Sequence, residues 1–212
     1  NIGLALTWLG TILLGSALLF RGLSAGRPPI GNMYEFSLAG GFAVALTYCL
    51  MSISRDLRWL GVFITIPVLL DLGLALTVLY TDSAQLVPAL NSYWLAIHVS
   101  AAVVCLGAFT IGAALSGLYL VAQAAEDRVA AGKEPGRSTA IAQRIPSADR
   151  LDLMSYRIHA FMFPIWTFAV IAGAIWAEAA WGRYWGWDPK ETWAFITWVI
   201  YAAYLHARAT AG

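Results

Sequence analysis

Half of the chain's 10 tryptophans fall between positions 176 and 193, in the run Trp176-Ala-Glu-Ala-Ala-Trp181-Gly-Arg-Tyr184-Trp185-Gly-Trp187-Asp188-Pro-Lys-Glu-Thr-Trp193. Indole and phenol rings at this density can do one of two things. They can anchor helix ends at a membrane interface, where Trp and Tyr gather, or they can form a flat apolar shelf for a planar ligand. Interfacial anchors are scattered over many helix ends, whereas Trp181, Tyr184, Trp185 and Trp187 share one loop with Gly182 and Gly186 between them. Those glycines let the backbone bend sharply and approach a partner closely, which favours the shelf. Asp188 has the spacing of a helix N-cap, and direct ligand contact is its alternative role; a cap that fixes the loop also positions the shelf.

The histidines narrow the ligand. His98 lies about seven residues into an apolar run, at the level of the Trp-rich loop. His206 lies about 19 residues beyond Trp187, roughly 29 Å along a helix at about 1.5 Å per residue. Ionisable groups in apolar spans are costly and point to function, although a packed, hydrogen-bonded histidine is the ordinary alternative. Imidazole is the commonest axial ligand of haem iron, so His98 beside an indole shelf is a chemically sensible iron ligand. His206 is too far along its helix to serve the same iron. His159 is read as structural, and Asp71, within Leu-Leu-Asp-Leu-Gly-Leu, as a carboxyl buried against a neighbouring helix. Cys49 and Cys105 both sit in apolar runs without a CxxC pair, which suggests neither a redox dithiol nor a zinc site.

The elements that must position these groups are membrane helices. A composition of 60% hydrophobic and 12% charged residues lies outside the range of soluble globular domains, and a span needs about 20 mainly apolar residues. The expected architecture is an all-α, polytopic transmembrane bundle with about six spans, near 2–20, 35–52, 59–80, 92–122, 158–181 and 190–208. This divides the chain into a four-span part (1–122), a polar and mobile linker that is partly helical (123–157), and two spans (158–212) flanking the Trp-rich loop 176–193. The fourth span is longer than a bilayer requires, so its end is expected to project into water.

Charge sets the orientation. Arg55, Arg58, Arg128, Lys133, Arg137, Arg144, Arg150, Arg157 and Arg208 fall on one side, and only Arg21, Arg27, Arg183 and Lys190 on the other. The excess of basic residues marks the cytoplasmic side, so the Trp-rich loop is expected to face outward. The net charge of +1 gives no reason to expect a nucleic-acid partner. Two outward loops carry helix-start chemistry, Asn32 with Glu35 and Asp188 with Glu191, the second reinforced by Pro189. No internal repeat is evident. The chain begins at Asn1 without Met and stops at Gly212 just after a span, and further sequence is expected at both ends.

The run WGRYWGWDPKETWAFITWVIYAAYLHAR resembles the tryptophan-rich "WWD" signature of haem-handling membrane proteins. Within that superfamily the chain is similar to the CcsA/ResC family of System II cytochrome c biogenesis. Gly31-Asn32-Met33-Tyr34-Glu35 and Ser92-Tyr93-Trp94-Leu95-Ala96-Ile97-His98 carry the likeness further, so it covers nearly the whole chain. The resemblance implies that haem b moves from a membrane site to an outer site over the Trp-rich loop, there to be joined covalently to a CXXCH apocytochrome. It implies that His98 is an outer-site iron ligand and His206 a membrane-site ligand, opposite a ligand on a CcsB/ResB-type membrane partner. Trp181, Tyr184, Trp185, Trp187 and Asp188 would hold the porphyrin. The second outer-site histidine of the family would follow one more span, beyond Gly212. The implied location is the bacterial cytoplasmic membrane or the thylakoid membrane, and the implied role is that of a synthase subunit acting by positioning rather than by a catalytic base. A b-type electron-transfer subunit would usually carry histidines paired at one depth, which His98 and His206 are not. A small-molecule transporter would show inverted repeats or broken helices, for which Gly40-Gly41 is a weak candidate.

Overall fold

The computed structural model describes residues 2–86, 90–134 and 136–211. These residues form seven α-helices, in chain order α1 (Ile2–Ala25), α2 (Met33–Ser54), α3 (Gly61–Thr77, preceded by a 3-10 turn at Arg58–Leu60), α4 (Tyr93–Ala130), α5 (Arg137–Ala142), α6 (Ala148–Trp181) and α7 (Pro189–Ala211). The described residues contain no strand, so the protein is an all-α polytopic bundle. Among the described residues, five helices are long and apolar enough to cross a membrane: α1, α2, α3 with its leading turn, α4 and α6. The expected count was six. The sixth, α7, forms over 23 residues but falls outside that set, because Lys190, Glu191 and Arg208 and a high content of Thr, Trp and Tyr dilute its apolar character.

The helices pack in a row. α1 and α3 lie on α2, α2 lies on α4, α4 has its most extensive contact with α6, and α7 packs mainly on α6. Lipid is as apolar as leucine, so membrane helices gain from close backbone approach more than from hydrophobic burial. Gly107 of α4 shows this: a Cβ there would lie 2.9 Å from the backbone carbon and oxygen of Ala43 in α2. Large apolar side chains such as Leu6, Leu13, Leu69 and Phe161 point outward, as lipid-facing positions should. Tyr48, Cys49, Ile64, Ile111, Leu115 and Leu151 form the main core between α2, α3, α4 and α6. Asp71 faces Ser37 and Gly41 of α2, a neighbouring helix as read from sequence.

Among its described residues, the stretch 123–157 is largely helical. α4 continues through it to Ala130, α5 occupies Arg137–Ala142, and α6 begins at Ala148. With 38 and 34 residues, α4 and α6 outrun a hydrocarbon core of about 30 Å, as expected for α4. Ser147 makes no side-chain cap for α6. Instead the Glu126 carboxylate, from the extended end of α4, accepts the Ala148 N–H at 3.0 Å and ties the two projections together. At the same end of the bundle, between α2 and the 3-10 turn, Asp56 is chelated by Arg58, whose hydrogen bonds hold its carboxyl below the usual carboxylate range.

Candidate functional site

At the opposite end from these projections, the start of α4, the last turns of α6, the start of α7 and the N-terminus of α2 surround a cavity of about 630 Å³. That volume is in the range of small-molecule and cofactor sites, about 300–1,000 Å³. His98, Trp181, Tyr184, Trp185 and Asp188 all line it, so the fold brings five of the seven residues singled out from sequence around one space. Trp187 does not line it but sits between Trp185 and Asp188, which do, and is 64% exposed, with its ring edge-on to Trp185 and to Phe195 at 5.7 Å each. His206 is exposed near the far end of α7, away from the cavity, and its ring makes no hydrogen bond among the described residues. The two histidines therefore belong to opposite ends of the bundle, as their sequence depths require.

His98 is held from three directions. Its Nδ1 lies 2.8 Å from the Ala169 carbonyl oxygen of α6. A carbonyl can only accept, so the proton sits on Nδ1 and the lone pair on Nε2. The imidazole plane is nearly parallel to the Trp176 indole, 10° between planes with centroids 6.2 Å apart. Gly173 closes the third side, since a Cβ there would lie 2.7 Å from Cε1 and 2.8 Å from Nδ1 of the ring. Ala169, Gly173, Trp176 and Ala177 follow the i, i+4, i+7, i+8 stripe of one helix face. Trp176 in turn meets Trp181 edge-to-face at 4.7 Å, which carries the aromatic wall from His98 to the loop. An orienting carbonyl on one ring nitrogen and a lone pair on the other is the arrangement in which imidazole binds a metal.

The loop is built by capping chemistry. Gly182 ends α6 in the left-handed region at φ 70°, its N–H on the Glu178 carbonyl at 2.8 Å. Asp188 Oδ1 accepts the N–H groups of Lys190 at 2.9 Å and Glu191 at 3.0 Å, which makes it the cap of α7. Glu191 reaches back to the N–H groups of Gly186 at 2.6 Å and Asp188 at 3.3 Å. Between them Trp187 adopts φ 59°, a left-handed conformation that costs a non-glycine residue on the order of 1–3 kcal/mol.

The α2 loop uses related chemistry. Asn32 Oδ1 accepts the Glu35 N–H at 2.8 Å, but the Glu35 carboxylate passes its cap and takes the Gly31 N–H at 2.7 Å. It also takes Arg21 Nε at 2.9 Å and Arg27 Nη1 at 2.8 Å, with no exposure of its own. The same arginines donate to the carbonyls of Thr81 and Ala84, tying the α3–α4 loop to this end.

Sequence reasoning missed Gly173 and Ala169, undervalued Trp176, and read Glu191 as the acidic partner of the Asp188 helix start without its further reach to the Gly186 N–H. The periodic stripe on α6 puts the first two on one helix face but does not single them out from other small residues in spans. His159 is buried among Phe109, Tyr201 and Tyr204, and its Nδ1 has no partner among the described residues.

A family described as cytochrome C assembly protein matches residues 30–212. Among curated relatives, the cytochrome c biogenesis protein CcsA of Picosynechococcus sp. is 34% identical over 265 aligned residues, covering 98% of this chain and 78% of that protein. The CcsA proteins of Gloeothece citriformis and Synechocystis sp. are 36% and 38% identical, over 100% and 95% of this chain and 76% and 73% of theirs.

Proposed function

The chain belongs to the cytochrome c assembly protein family, and from that premise we propose that it holds haem b in the Trp-lined cavity and presents it for covalent attachment to c-type apocytochromes. The observation that carries this reading is the His98 hydrogen bond: Nδ1 is engaged by the Ala169 carbonyl, which leaves Nε2 as the nitrogen able to bind iron. Trp181, Tyr184 and Trp185 supply the flat apolar wall for the porphyrin, and Trp187 its edge. Asp188 acts by fixing the start of α7.

In this reading the two vinyl groups face the open side of the cavity, where the thiols of a CXXCH segment add across them. The chain's contribution is to hold both reactants in reacting geometry, which removes much of the entropic barrier. The Trp-rich end faces outward and the Arg-rich end the cytoplasm, following the basic-residue asymmetry. His206 serves a separate haem position in the inner half of the membrane. It lies on α7, none of whose described residues is buried, so a span of a CcsB/ResB-type partner has room to supply the opposite ligand.

The test is haem content and visible spectrum of the chain purified with its membrane partner. His98→Ala is expected to lower haem affinity at the outer position by about ten-fold or more, shift the spectrum and stop cytochrome c maturation. His206→Ala should remove a different spectral component, restored in part by added imidazole. If His98→Ala left haem content, spectrum and maturation untouched, the assignment would be wrong.

A further inference from the structure

Trp187 is the one non-glycine residue with positive φ among the described residues, and its bulk makes that conformation sterically costly. It persists because its surroundings over-determine it. Glu191 Oε2 accepts the N–H of the residue before it, Gly186, and of the residue after it, Asp188. The Thr192 hydroxyl donates to the Trp187 carbonyl at 3.2 Å. Arg183 Nη1 reaches the other carboxylate oxygen of Glu191 at 3.4 Å. One carboxylate thus holds the peptide group that follows Trp187 and the one that precedes Gly186, so the Gly186–Trp187 unit is pinned at both ends.

The other wall of the cavity is built on the same plan. Arg27, Asn32 and Glu35 have the spacing of Arg183, Asp188 and Glu191. In both loops the arginine pairs with the glutamate, the middle residue caps the helix, and a loop glycine gives its N–H to the glutamate. The loops differ in what they hold. The Glu35 loop has negative φ at its non-glycine residues, whereas the Glu191 loop keeps a tryptophan in a strained conformation at the cavity edge.

We propose that Glu191 is a positioning residue that acts through Trp187: its carboxylate holds the left-handed turn that sets the Trp187 indole edge-on to Trp185 beside the cavity. This rests on the reading of the cavity as a haem seat. Released from Glu191, Trp187 returns to negative φ, the peptide planes on either side rotate, and the Trp185–Trp187 pair is lost. Strain held in place at a ligand edge is a recurrent feature of sites that must be preorganised.

The experiment is an epistasis test on the full chain in its membrane complex, with haem as the titrant. Glu191→Ala is expected to weaken haem binding about ten-fold, and Glu191→Gln, whose amide oxygen still accepts, to fall between it and the parent. Trp187→Gly should also weaken binding, because it removes the indole while freeing the turn of its left-handed penalty. In the Trp187→Gly background, Glu191→Ala should weaken binding no further. Additive losses in the double variant would overturn the proposal. Near-UV circular dichroism without haem gives a readout independent of the functional reading: Glu191→Ala should lose the part of the spectrum that Trp187→Gly loses. A parent complex that binds no haem would sink the haem seat while this signature still decided the role of Glu191.

Discussion

At the residue scale, the position of the His98 ring depends on an atom that is missing. Gly173 leaves a space that a Cβ would fill at 2.7 Å from Cε1. The ring cannot move away without giving up the Ala169 carbonyl or the stacking on Trp176. Gly173→Ala is therefore expected to weaken haem binding by about ten-fold to a hundred-fold, the range for disturbing groups that orient a metal ligand. Overpacking at one site costs about 1–3 kcal/mol, so the protein should still assemble. Haem titration and the visible spectrum of the purified complex check this, and an unchanged affinity would mean that the ring has room the geometry denies it. His98 was legible in the sequence because an imidazole in an apolar run is conspicuous. Gly173 was not, because small residues are common in spans, and nothing local tells a glycine that seats an imidazole from one that seats a neighbouring helix, such as Gly107 against Ala43.

At the scale of elements, the two capped helix starts were legible from spacing alone, and both caps formed on the expected side chains. The use made of Glu35 was not legible. It has no exposure and is shared by Arg21, Arg27 and the Gly31 N–H, while the arginines bind carbonyls about 60 positions later in sequence. Local spacing cannot reveal a hub whose partners come from another loop. Removing the carboxylate leaves two largely buried guanidinium groups without a counter-charge, and breaking such a pair costs about 3–5 kcal/mol. Glu35→Ala is expected to lower the thermal unfolding midpoint in detergent clearly, and Glu35→Gln, which keeps an acceptor oxygen, to lower it less. Equal midpoints for all three proteins would mean that the cluster contributes nothing to holding this end together. The length of α6 was misjudged for a related reason: the polar stretch 148–157 reads as linker, yet the distant Glu126 caps its first residue and the face carrying Leu151 and Met154 joins the core.

At the scale of the whole molecule, hydropathy and charge separated spans from loops, but the row of packed helices and the cavity between α4, α6 and α7 depend on contacts that no periodicity encodes. The direction in which the bundle sits is a distinct matter, argued from the crowding of basic residues at one end. It can be tested through cysteine accessibility, because Cys49 and Cys105 are both 0% exposed and give little background labelling. Ser83 is exposed in the loop tied to Arg21 and Arg27, at the Trp-rich end, and Lys133 is exposed just beyond α4 at the other end. Neither touches the cavity. In intact cells, a membrane-impermeant maleimide should label Ser83→Cys and leave Lys133→Cys unmodified until the membrane is opened. The reverse pattern would place the indole-lined cavity on the cytoplasmic face, where it could not hand haem to an apocytochrome outside. Labelling of both variants before permeabilisation would show that the two loops do not lie on opposite sides of the membrane, and the alternating passage of α1 to α4 through the bilayer would fail with it.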